Sequence, residues 1–410
     1  MMLFQRQADS PPRALPRGTV SFIAAQSLSN GFTAIEILAL SWLTLAPQQM
    51  GLPPHYFAAI TGALFLPFLV VGPLYGRIAA RWGANFLWRT CLVGEAAACS
   101  LFGAAILLFG MPDYLVVVLY ALSIGALQAI EVPSRQTSLM NHLEDSFATG
   151  YAAFTATSRG ISAVAPLAGG ALIALLPIGS VFLVNAASFG LVFFVALKFF
   201  DPEVAEAAGG KAGGGAGGPS PSAILFPVLV MGFCIGALGY QFPVTNLLSL
   251  DRLSVTGSMA FGVISAAVAV GGILGPWLGA KLSGARSLCA VVAIFGACEL
   301  LMGASDQLVV YCAFALVCGA AYSSFTVASM GFVRSTTSGN DRARWVGMLS
   351  TVTIGCVPVG TLLVGGLAVI GSEMTLMLPA ALCMAAGGIS YLLLWSKRAS
   401  TLPLSPGEEK

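Results

Sequence analysis

Ionisable side chains stand inside the apolar spans of this sequence: Glu36, Glu95, Glu131, Arg159 and Glu299. A charge in hydrocarbon costs about 2.5 to 3.5 kcal/mol on insertion scales, so each group is expected to hold a proton, find a counter-charge or meet a ligand. Arg159 has no neutral form to retreat to, because a guanidinium stays protonated. Its expected partner is Glu36, Glu131 or an anionic substrate. Together these residue types support proton binding and release coupled to a cargo. Glu36 is expected to carry the proton with Arg159 as its charge partner, and Glu131, four residues before Arg135, to act as a gate. Glu95 and Glu299 are expected to be structural, with a proton role left open by their matching places in the chain.

Other chemistries lack their parts. Two histidines, His55 and His142, cannot build a multi-histidine metal centre or a serine–histidine system. The nine cysteines lie in apolar runs without any C-x-x-C spacing and read as small packing residues. No G-x-x-x-x-G-K-[ST] phosphate loop occurs, and Gly279-Ala280-Lys281 fails its spacing. Enzymatic activity, a metal site and a cofactor are therefore not expected. Nor is nucleic acid, because the formal charge is only +2.

The elements that must position these groups are membrane spans. Of 410 residues, 57% are hydrophobic and 9% charged, against about 25% charged in a soluble domain. Spans of about 20 apolar residues are predicted at 20–45, 56–76, 86–110, 114–134, 150–175, 180–199, 223–249, 259–280, 288–304, 307–331, 345–370 and 375–396. Lys and Arg collect in alternate connections and in both tails, which predicts cytoplasmic amino and carboxyl termini.

Residues 201–222 have the Gly, Ser and Pro content of a flexible tether. They divide a tail at 1–19 and a six-helix half at 20–200 from a six-helix half at 223–396 and a tail at 397–410. The halves echo each other. Gly72-Pro73-Leu74-Tyr75-Gly76 matches Gly275-Pro276-Trp277-Leu278-Gly279 203 positions later, and Glu95 matches Glu299 at 204. Small residues at such spacing let helices approach closely, for packing, gating or both.

At 100° per residue, Gln26, Ser29, Asn30, Thr33, Ser41 and Thr44 form one polar stripe with Glu36 on its flank. A stripe of this kind suits a helix lining a water-filled cavity, or one hydrogen-bonded to its neighbours. Tyr240, Gln241 and Asn246 in span 7, with Tyr322 and Ser323 in span 10, complete the expected substrate cavity. Phe65, Phe68, Phe154, Phe242 and Phe325 supply apolar bulk for an amphiphile with aromatic rings.

The run Gly76-Arg77-Ile78-Ala79-Ala80-Arg81-Trp82-Gly83 resembles the major facilitator superfamily signature G-x-x-x-D-R-x-G between helices 2 and 3, with Ala80 in place of the aspartate. Glu131-Val132-Pro133-Ser134-Arg135-Gln136 resembles the helix 4 exit of the superfamily's enterobactin-exporter-like and macrolide-efflux-like branch. Arg159-Gly160 followed by Ala165-Pro166-Leu167-Ala168-Gly169-Gly170 resembles the antiporter signature of helix 5. The resemblance implies an all-α membrane protein of twelve helices in two pseudo-symmetric six-helix bundles. It also implies proton-coupled efflux of a small organic molecule, such as a siderophore or drug-like amphiphile, by alternating access. Its partners would be substrate, protons and the lipid bilayer, and its setting that of a monomer in the inner membrane of a bacterium. Two alternatives stand beside it: a proton-coupled importer of an organic anion anchored by Arg159, and a non-transporting receptor or scaffold on the same fold.

Overall fold

The computed structural model describes residues 15–46, 49–52, 54–200, 221–238, 258–282, 284–360, 362–363 and 372–399. Among them every regular element is helical. The first half holds α1 (Thr19–Leu45), α2 (Pro54–Trp82), α3 (Ala84–Phe109), α4 (Tyr114–Leu143), α5 (Phe147–Leu175) and α6 (Ile178–Phe199). The second holds α7 (Pro221–Phe233, continued as a π-turn over Cys234–Leu238), α8 (Ser258–Gly279), α9 (Ala285–Ala304) and α10 (Leu308–Thr336). It ends with α11 (Gly339–Ser350, continued as a π-turn over Thr351–Gly355) and α12 (Ser372–Ala399).

Among the described residues each predicted span falls on helix, with 223–249 and 345–370 continuing into residues outside the described ones, and several helices run past the apolar stretch that announced them. α4 continues through Pro133 to Leu143 and α2 through Pro67 and Pro73 to Trp82. Hydropathy sees only the hydrocarbon-buried part of a helix, whereas backbone hydrogen bonding carries the polar end onward. Sharp turns close the helices where needed. Gly83 (φ 76°) and Gly110 (φ 83°) bracket α3 in a left-handed region that other residues rarely enter. Large apolar side chains such as Phe109 (86% exposed) and Val309 (80%) form a lipid-facing surface.

The packing repeats. α2 lies on α4 and α3 on both α4 and α6, while α8 lies on α10 and α9 on both α10 and α12. Bare backbone makes the matching contacts possible. A Cβ on Gly125 would sit 2.3 Å from the Leu64 carbonyl oxygen, and one on Gly319 2.1 Å from that of Val268. Gly319→Ala is therefore expected to lower stability by about 1 to 3 kcal/mol through overpacking. Thermal unfolding in detergent checks this against Gly62→Ala, where nothing lies within 4 Å.

The halves meet along α2 with α11 and α5 with α8. Contacts between described residues of the two halves run from the middle of α2 to the terminal face, where α1 begins and α12 ends. Thr351 donates to the Phe68 carbonyl (3.2 Å), Ser350 to Gln136 (3.1 Å) and Arg342 to Asn141 (3.2 Å). Gly72 and Gly76 sit on this seam against Thr351, Gly347 and Arg344 of α11. Their repeat counterparts Gly275 and Gly279 instead receive Ala320 and Ser324 of α10, within the second half. One motif thus makes contact between the halves in one half and internal packing in the other.

Candidate functional site

Glu36 points into the first half, away from the seam, and is 2% exposed. Three donors reach it. The Tyr120 hydroxyl donates to Oε1 at 2.5 Å, the Asn185 amide donates to Oε2, and the Cys99 thiol approaches Oε2 at 3.8 Å. Packing holds the donors in place. The Tyr120 ring stacks on Phe102 (centroids 4.0 Å, 7°), and both meet Phe182 edge-on. Ser188 donates to the Asn185 side-chain oxygen (3.0 Å) and to Ser29 (3.0 Å), which leaves the amide nitrogen of Asn185 facing Glu36. Among the described residues the cradle gives Glu36 neutral donors and no cation.

Arg159 does not pair with Glu36, which corrects the expected charge pairing. The flank of α1 that carries Glu36 turns toward α3, α4 and α6, whereas Arg159 on α5 turns toward α8 and α10 across the seam. The Arg159 guanidinium lies over the Tyr322 ring, 4.8 Å from its centroid. Among the described residues no carboxylate comes within ion-pair distance of it. The bare backbone of Gly272 lies beside it, and on the other side of Gly272 the hydroxyl of Ser323, 1% exposed, has no hydrogen-bond partner among the described residues.

Glu131 and Arg135 do pair, at 3.1 Å on α4, and Pro133 between them leaves the helix intact. Arg135 also reaches the Asn30 side-chain oxygen at 3.5 Å. Asn30 accepts from Gln26 (3.1 Å) and donates to Ser158 of α5 (3.2 Å), which also contacts Ser27 (2.9 Å). Much of the α1 polar stripe is thus spent on joining helices: Gln26 is 2% exposed, Ser29 and Thr44 are fully buried, and Thr33 is half-buried. Phe68, Phe154 and Phe325 are core residues. Tyr240, Gln241 and Asn246 lie outside the described residues.

The remaining predicted positions scatter. Arg77 and Arg81 are exposed at the terminal face, Arg81 against the Trp82 ring. Gly169 receives Ile35 and Leu38 of α1, while Gly170 meets nothing within 4 Å and Pro166 is exposed. The sequence reading missed Tyr120, Asn185 and Cys99 around Glu36, and the seam donors Ser350 and Arg342. Asn185 had a signal: an amide in an otherwise apolar α6 needs a buried partner. Among the described residues no group of three or more His, Cys, Asp or Glu side chains is arranged to hold a metal ion.

The sequence profile of the Major Facilitator Superfamily matches residues 19–302. No curated protein matches the sequence. Solved structures do resemble the fold. The human organic anion transporter MFSD10 (TETRAN) superposes with a TM-score of 0.68 at 15% identity, covering 94% of this chain and 100% of that one. A bacterial homologue of the iron transporter ferroportin, outward-facing with soaked iron, gives 0.67 at 13% identity, covering 93% and 99%. The E. coli fucose:proton symporter FucP gives 0.65 at 16% identity, covering 92% and 99%.

Proposed function

Because the chain belongs to the major facilitator superfamily, whose fold serves secondary transport, we propose that it exports a small organic molecule in exchange for protons. The terminal face, rich in Lys and Arg, is then the cytoplasmic face of a bacterial inner membrane. The single observation carrying the proton role is Glu36, buried with a donor set of Tyr120, Asn185 and Cys99 and no cation. A carboxyl so placed is stable with or without its proton only as its surroundings change, which is what coupling requires. The seam of α2 with α11 and α5 with α8 is the surface along which the halves rock, and its closure at the terminal face defines one end of the cycle.

Proteoliposomes loaded with the pH dye pyranine test this reading. Ethidium, a drug-like amphiphile, is expected to drive proton movement across the membrane only when the protein is present. Absence of that movement over a wide panel of amphiphiles would sink proton-coupled export.

Arg159 favours a second reading, in which the cargo is an organic anion. A guanidinium over Tyr322 with no described carboxylate beside it is a ready anchor for a carboxylate or sulfonate. The similar fold of a human organic anion transporter supports the same class. If so, Arg159→Gln is expected to raise KM for carboxyfluorescein by about 10- to 100-fold, the loss of about 1.5 to 3 kcal/mol in a charge-assisted hydrogen bond. Arg159→Lys should recover only part of it, since lysine lacks the planar fork. Equal KM values in wild type and Arg159→Gln would reject the anchor.

A further inference from the structure

Glu95 of α3 is the buried acid that the proton scheme above leaves unused. It is 1% exposed, and among the described residues neither carboxyl oxygen has a hydrogen-bond partner. Its position is not remote from the other acids. Cys99, one helical turn along the same face, touches Glu36 at 3.8 Å. Cys91, one turn the other way, lies within electrostatic range of both Glu95 and Glu131. The groups facing Glu95 are Glu36 from α1, Glu131 and Arg135 from α4, and Cys91 and Cys99 from its own helix, with Tyr120 of α4 and Tyr75 of α2 beyond them. α6 contributes Asn185, which does not titrate.

Of the three buried carboxyls Glu36, Glu95 and Glu131, only Glu131 has a guanidinium within ion-pair distance among the described residues. Arg135 is engaged by Glu131, and Glu36 has donors suited to an anion. Glu95 alone has neither cation nor donor, and an uncompensated carboxylate in such a place would cost several kcal/mol.

We propose that Glu95 is a proton-holding residue, neutral in the described conformation, which exchanges its proton with Glu131 when Arg135 turns from Glu131 to Asn30. In that step the O–H bond on Glu95 breaks and one forms on Glu131, so one proton moves and the summed charge is unchanged. Arg135 has a place to go, because the Asn30 oxygen already lies 3.5 Å from its Nη1. The relay rests on the proton-coupled reading; the neutrality of Glu95 does not.

Two measurements separate them. Infrared difference spectroscopy of the purified full-length protein should show a protonated-carboxyl carbonyl band that loses one component in Glu95→Gln, while components retained on other acids such as Glu299 persist. In pyranine-loaded proteoliposomes, the same variant should lower ethidium-driven proton flux by about 100-fold, within the usual range for loss of a proton-transfer group, and leave ethidium exchange at equal pH unchanged. Glu95→Met, apolar and similar in volume, replaces it if the glutamine variant does not fold. An unaltered band overturns the proposal, and so does wild-type proton flux in the variant. A lost component together with no ethidium-driven flux in wild type would sink the transport reading and leave Glu95 as the proton holder.

Discussion

Gly347→Ala is expected to hold the terminal face apart and to slow transport more than any other single-methyl change on the seam. A Cβ on Gly347 would lie 2.5 Å from the backbone oxygen of Gly72 and 2.8 Å from the Cβ of Tyr75. Rotating a side chain cannot relieve a clash with a carbonyl, so α2 and α11 must separate. The reciprocal change is softer at its tightest point. A Cβ on Gly72 would first meet the Thr351 hydroxyl, which can turn away at the expense of its bonds to Phe68 and Gly347. Overpacking of this kind costs about 1 to 3 kcal/mol, which moves a two-state equilibrium by roughly 5- to 150-fold. Nitroxides at Arg77→Cys and Asp341→Cys, both exposed at the seam end of their helices, report the separation by pulsed dipolar spectroscopy. The longer distance should gain population in Gly347→Ala and not in Gly62→Ala. An unchanged distance distribution would mean that the seam does not open between α2 and α11.

The seam glycines show what a sequence can and cannot reveal. Gly72 and Gly275 look equivalent, yet one faces the other half and the other faces α10, because the rotation of a helix about its own axis is decided by its neighbours. The helices themselves were legible: apolar runs separated by turn residues mark all of them. Their ends were not, as α4 shows by running ten residues past Pro133 to Leu143. Pro133 has no N–H to give the Ala129 carbonyl four residues earlier, and a membrane helix tolerates such a proline where its surroundings satisfy the freed group. The same limit governs the site. That Glu36 and Arg159 are ionisable groups within apolar spans could be read from the sequence, but their separation could not, since it depends on which way α1 and α5 turn. Arg135 was legible as the partner of Glu131 because both lie on one helix, where spacing alone sets the distance.

Glu36→Gln is expected to abolish transport driven by a pH gradient while leaving the fold and ungated exchange in place. Glutamine keeps the shape and removes the ionisable group, so no proton can be taken up or released at this position. It also changes the hydrogen bonding in a defined way. Both Glu36 oxygens accept, one from Tyr120 and the other from Asn185 and Cys99. The amide presents one acceptor and one N–H donor, so it either sets its N–H against the Asn185 amide or makes the Tyr120 hydroxyl turn its hydrogen elsewhere and accept. That mismatch costs about 1 to 3 kcal/mol, a moderate loss of thermal stability that Asn185→Asp should partly repair in the double variant by offering an acceptor. Tyr120→Phe makes the complementary cut. Its ring stays stacked on Phe102 and only the hydroxyl is lost, so gradient-driven transport should fall by about tenfold, the equivalent of about 1.4 kcal/mol from a hydrogen bond to a charged group. Accumulation of ethidium against its gradient in inverted vesicles distinguishes the outcomes. If Glu36→Gln accumulates it as wild type does, the proton is carried elsewhere, and the three donors around Glu36 serve only to tie α1 to α3, α4 and α6.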